Sequence, residues 1–81
     1  IIIRNGENIS PKEVEDVLVN HPDVTEVAVV GLPDARTGER ACAVVVPAGT
    51  ATPDVAGLRT FLESAGVARF KAPEQVVIWN D

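Results

Sequence analysis

Eighty-one residues carrying seven Lys and Arg against twelve Asp and Glu, a formal charge of −5, allow one small-cored domain at most and no basic face for nucleic acid. The chain is 46% hydrophobic and 23% charged, a globular composition, and its apolar runs fall well short of the roughly 18 residues a membrane span needs. One cysteine, Cys42, and one histidine, His21, exclude an intramolecular disulfide and a Cys/His zinc site, which points to a reducing, cytoplasmic setting.

Ile1-Ile2-Ile3 is too short for a signal core and has no basic stretch before it. The absence of methionine and the apolar opening lead to the expectation of a piece of a longer polypeptide. Ile1 to Arg4 reads as the end of a β-strand running into Asn5-Gly6, a turn dipeptide whose residues both tolerate positive φ. Ser10 predicts a helix cap, Glu13 reaches back to the Ser10 amide as a capping box, and Pro11 takes the first helical position. Ile9 and Val14 are spaced as a hydrophobic staple. The helix runs from Pro11 to about Asn20, with Val14, Val17 and Leu18 on its apolar stripe. Glu13, Glu15 and Asp16 suit its dipole, and His21-Pro22-Asp23 ends it.

Val24 to Leu32 is expected to be a strand covered on both faces, because Val27-Ala28-Val29-Val30 is continuously apolar. A polar loop from Gly31 to Glu39 then leads to a second strand, Ala41 to Val46, antiparallel to the first. Pro47 to Thr52 is a connection, and Thr52-Pro53-Asp54 predicts a second helix by the same cap-then-proline logic as Ser10-Pro11. Val55, Leu58, Phe61, Leu62 and Ala65 form its stripe and Gly66 its C-terminal cap. Val67 to Pro73 is irregular, and Val76 to Trp79 is a final strand ending near Asp81. The sum is an α+β fold of two layers. About three main strands carry two or three helices, with a short N-terminal strand and turn, and residues 1–81 form a single domain.

No catalytic constellation is visible within the chain. His21 fits a C-cap role, Cys42 a small core residue, and the acidic cluster helix capping. Three segments invite a functional reading beside a structural one. Arg4 to Asn8 is a polar loop whose glycine admits a close backbone approach. Asp34 to Glu39 lies in a loop longer than a simple hairpin needs. In Arg69-Phe70-Lys71 an aromatic stands between two cations, a unit able to stack on a nucleotide and neutralise it, or equally a core Phe with solvated neighbours.

These segments, in this order, resemble the small C-terminal domain of the adenylate-forming superfamily, which includes acyl- and aryl-CoA synthetases, peptide-synthetase adenylation domains and luciferases. The match is carried by Ile2 to Pro11, Glu13-Val14-Glu15, His21-Pro22, Val24, Glu26 to Gly31, Pro33-Asp34, Gly38-Glu39 and Phe70 to Glu74. Glu7-Asn8-Ile9-Ser10-Pro11 looks most like the acyl-CoA synthetases that activate fatty or other carboxylic acids.

The resemblance implies a mobile lid on a large N-terminal domain, in an enzyme that uses ATP, magnesium and CoA. It further implies that the loop around Gly6 lines the tunnel for the pantetheine arm, with Arg4, Asn5, Glu7 and Asn8 flanking it. Phe70 and Lys71 match a region near the CoA nucleotide. No catalytic or metal-binding residue is carried over, because the adenylation lysine, in a Gly-Lys motif, is expected beyond Asp81 and the hinge before Ile1. Some members place an aromatic at the position of Thr37 and basic residues at those of Ala72 and Glu74, and many have a second glycine in place of Asn5. Two alternatives stand beside this reading: an adenylation domain that loads a carrier protein, and a non-catalytic interaction module.

Overall fold

The computed structural model describes residues 1–80; Asp81 lies outside the described residues. The chain forms β1 (Ile2–Arg4), β2 (Glu7–Ile9), α1 (Pro11–Leu18), β3 (Val24–Asp34), β4 (Gly38–Pro47), α2 (Val55–Ser64), a 3-10 turn (Arg69–Lys71) and β5 (Gln75–Ile78). This is the expected α+β class. The sheet has five strands because Glu7–Ile9 returns along β1, a short partner the sequence reading did not separate from the turn.

The sheet is built on β4. Along one edge β4 pairs antiparallel with β3, from Val24↔Pro47 to Asp34↔Gly38, with a bulge between Val24 and Glu26. On its other side it meets β1 only at Arg4↔Gly38, then takes β5 in parallel from Cys42↔Gln75 to Val45↔Ile78. The parallel pairing requires a crossover, and α2 supplies it.

Strand alternation sorts side chains between the two faces. Ala41, Ala43 and Val45 of β4 pack with Val29, with Val14 and Leu18 of α1, and with Leu58 and Leu62 of α2. Ile2 and Ile9 close the same core. Ile9 and Val14, at the staple positions, are both fully buried. Among the described residues no helix lies on the opposite face: Val30, Val77 and Trp79 are exposed there, Trp79 by 56%. The expectation that β3 is covered on both sides is therefore corrected. Its run of valines reflects one buried face plus β-propensity on an open one.

Three local expectations also change. The β3–β4 connection is only Ala35-Arg36-Thr37, because the polar stretch on either side is paired strand. At α2, Asp54 rather than Thr52 is the cap, accepting from the Gly57 amide at 2.7 Å, so Pro53 precedes the cap instead of opening the helix. At α1 the capping box is half made. Ser10 Oγ accepts from the Glu13 amide at 3.4 Å, but the Glu13 carboxylate turns to Lys71. Glu15 likewise serves more than the dipole, since its Oε2 accepts the Val29 amide at 2.8 Å and ties α1 to β3.

α1 ends at Leu18, two residues earlier than expected, and His21 follows in the turn. There its amide donates to the Leu18 carbonyl, its Nδ1 accepts the Asp23 amide at 3.0 Å, and its ring meets Phe61 edge-on at 4.9 Å. Cys42 is buried and its thiol is pushed up by desolvation. Among the described residues no helix is long and apolar enough to cross a membrane.

Candidate functional site

The β1–β2 turn follows from its sequence. Asn5 has φ 52° and Gly6 φ 75°, so both central residues of Arg4-Asn5-Gly6-Glu7 are left-handed, the geometry that suits a two-residue hairpin to strand twist. Asn and Gly are the residues that adopt it at least cost. A Cβ built on Gly6 meets nothing within 4 Å, so this side of the turn is open to an approaching molecule. Glu7 and Asn8 are exposed on β2, paired with Arg4 and Ile3.

Arg4 turns away from the tip. Its NH1 donates to the Phe70 carbonyl at 3.1 Å, and its Nε lies 2.8 Å from Glu74 Oε1. That second contact is a charge contact rather than an aligned bond, because the buried Nε–H finds no acceptor in line. The turn and the Phe70-Lys71 segment, read separately from the sequence, are thus brought together. Lys71 Nζ sits 5.7 Å from the centre of the Phe70 ring and 2.9 Å from Glu13 Oε1.

Between them lies an open cleft of about 440 Å³ lined by Arg4, Arg59, Arg69, Phe70, Ala72 and Glu74. Arg69 belongs to the unit singled out from sequence, whereas Arg59 does not: it lies on α2, and the fold alone brings it beside the 3-10 turn. Arg69 pairs with Glu63 at 3.2 Å, while Arg59 has no ion-pair partner among the described residues. The cleft lining thus carries three guanidinium groups, Arg4, Arg59 and Arg69, against one carboxylate, Glu74, on a chain that is acidic as a whole.

The second polar segment, Asp34 to Glu39, abuts the turn. Asp34 Oδ1 accepts from the amides of Arg36 at 2.8 Å and Thr37 at 3.1 Å, and these bonds hold its carboxyl below the usual range. The Thr37 carbonyl accepts the Asn5 amide at 2.9 Å. Among the described residues no three His, Cys, Asp or Glu side chains converge as a metal site.

The AMP-binding enzyme C-terminal domain family matches residues 13–81. Pyochelin synthase PchD of Pseudomonas aeruginosa is 43% identical over 75 residues, covering 93% of this chain and 14% of its own length. Medium-chain fatty-acid–CoA ligase of Escherichia coli is 43% identical over 79 residues, covering 96% and 14%. The apo structure of MbtA from Mycobacterium smegmatis superposes with TM-score 0.92 at 40% identity, over 99% of this chain and 15% of that one. The chain thus spans about one-seventh of the length of these proteins.

Proposed function

The chain belongs to the AMP-binding enzyme C-terminal domain family, and from that premise we propose that residues 1–81 are the mobile lid of an ATP-dependent acid–thiol ligase. Two steps make up the reaction. A carboxylate oxygen attacks the α-phosphorus of ATP and pyrophosphate leaves. A thiol sulfur then attacks the acyl carbon of the adenylate, AMP departs with the bonding electrons, and the thiol proton passes to solvent. ATP, CoA and magnesium serve the whole enzyme in this reading. The large N-terminal domain, the hinge and the adenylation lysine lie outside these residues.

The chain's own part is to close the site for the second step. The left-handed Asn5-Gly6 turn is the single observation that carries this assignment, since its Gly6 side is free of neighbours and suits a pantetheine arm passing along the backbone. Asn5, Glu7 and Asn8 flank that passage, whereas the Arg4 side chain is directed to Phe70 and Glu74 instead, and Phe70 and Lys71 offer a ring and a cation near the acceptor's nucleotide. A cytoplasmic enzyme of fatty-acid metabolism follows from the same reading, in line with the CoA ligase among its relatives.

The test is Gly6→Leu in the full-length enzyme. Adenylate formation, followed by pyrophosphate exchange, continues, whereas thioester formation falls by at least tenfold, the scale of about 1.4 kcal/mol in the barrier. Equal loss of both half-reactions sinks the assignment.

One observation favours a second acceptor, the pantetheine arm of a carrier protein. Glu74 occupies Arg4 and Glu13 occupies Lys71, which leaves less free positive charge for a CoA nucleotide than the sequence suggests. Comparing the KM for CoA with that for a pantetheinylated carrier protein separates the two. A parent reading frame carrying a Ser/Thr/Gly-rich phosphate loop upstream would exclude the remaining alternative, a non-catalytic module.

A further inference from the structure

We propose that the tip of the β3–β4 hairpin is the mount that fixes the angle of the Arg4–Asn8 turn, and that Asp34 and Glu39 are positioning residues for the step the turn serves. The second half rests on the function proposed above. β1 is three residues long and meets β4 at one register position, Arg4↔Gly38. Ile2 and Ile9 anchor the base of this hairpin in the core and Arg4 ties it to Phe70 and Glu74, while along the β4 edge the single register position leaves its angle to the bonds on either side. The amides flanking that point are Ile3 and Asn5, and the hairpin tip takes both. Ile3 donates to Glu39 Oε1 at 2.9 Å, and Asn5 donates to the Thr37 carbonyl at 2.9 Å.

Each acceptor is itself held. Asp34 Oδ1 gathers the amides of Arg36 and Thr37 and thereby sets the direction of the Thr37 carbonyl. Thr37 Oγ1 donates to the Glu39 carbonyl at 2.8 Å, which couples the two supports. The Glu39 carboxylate lies in the space that Gly31 leaves open, where an added Cβ would come within 2.6 Å of Oε2. Neither carboxylate belongs to the apolar core. What they hold in common is the segment that leads into Asn5-Gly6.

The experiment has two readouts. In the 81-residue chain, amide exchange by NMR shows protection at Ile3 falling about tenfold in Glu39→Ala and at Asn5 in Asp34→Ala, the scale of one net hydrogen bond, while protection at Val45 in β4 is kept. In the full-length enzyme the same variants lower the rate of thioester formation relative to pyrophosphate exchange by about tenfold. Asp34→Asn and Glu39→Gln retain an acceptor oxygen and restore both readouts.

Unchanged protection at Ile3 and Asn5 overturns the mount. Lost protection with an unchanged ratio of half-reactions overturns the positioning role. A wild-type enzyme that exchanges pyrophosphate but loads no pantetheine thiol overturns the function proposed for the turn and the positioning role with it, while the exchange data still decide the mount.

Discussion

Arg4 and Glu74 join the two ends of the chain: Nε and Oε1 are 2.8 Å apart, and the same guanidinium donates to the Phe70 carbonyl. Both side chains are about a quarter exposed, so solvent screens the pair only partly. Removing Glu74 leaves a buried Arg4 Nε–H with no counter-charge. Glu74→Ala is expected to lower the unfolding free energy by about 1–2 kcal/mol in urea titrations at neutral pH, with a smaller effect at high salt.

Gly6 and Asn5 share a left-handed backbone but not its cost. Gly6→Ala places a Cβ in open space, so only the conformational term acts, about 1–2 kcal/mol by thermal or urea unfolding. Asn5→Gly, which keeps a residue at ease with positive φ, changes stability by less than about 1 kcal/mol.

Acid loosens the hairpin tip. The folded pKa of Asp34 is lowered by bonds from the Arg36 and Thr37 amides. Its contribution is therefore fully present above the unfolded value of about 3.9 and is lost as pH falls through the lower folded value. Unfolding free energies measured from pH 5 down to pH 2 fall more steeply for the wild type than for Asp34→Asn, which keeps an acceptor but does not titrate. Parallel curves contradict this.

Cys42 resists thiol reagents. Burial raises its pKa, so the folded chain holds the neutral thiol and that contribution fades only as pH climbs through the raised value. Labelling at pH 8 is expected to follow the unfolding equilibrium, with a rate that climbs with urea in step with loss of secondary structure.

The helices and the antiparallel β3–β4 pair are legible in the sequence because their signals are local. Ser10-Pro11, the Val14, Val17 and Leu18 spacing, and Gly66 with φ 85° all act within a few residues. What the sequence hides is competition at a distance. Glu13 abandons the capping box for Lys71, and Glu15 reaches the Val29 amide. The choice of Asp54 over Thr52, by contrast, is local: Asp is the stronger cap and its carboxylate meets the Gly57 amide three residues on. The polar run from Gly31 to Glu39 resembles a long loop because the end of the β3–β4 ladder carries polar side chains. At the site, Asn5-Gly6 announces itself, but its supports are a carbonyl and a carboxylate thirty or more residues away.

The fit between Gly31 and Glu39 has an evolutionary reading. A Cβ at position 31 and a carboxylate at position 39 compete for one space, with Ile2 Cγ1 at 3.2 Å closing the far side. The two sites are therefore epistatic. Among relatives, a side chain at the first is expected to travel with loss of the acid at the second, and Gly31→Ala costs less in a Glu39→Ser background than alone, the residual cost being the contact with Ile2 Cγ1.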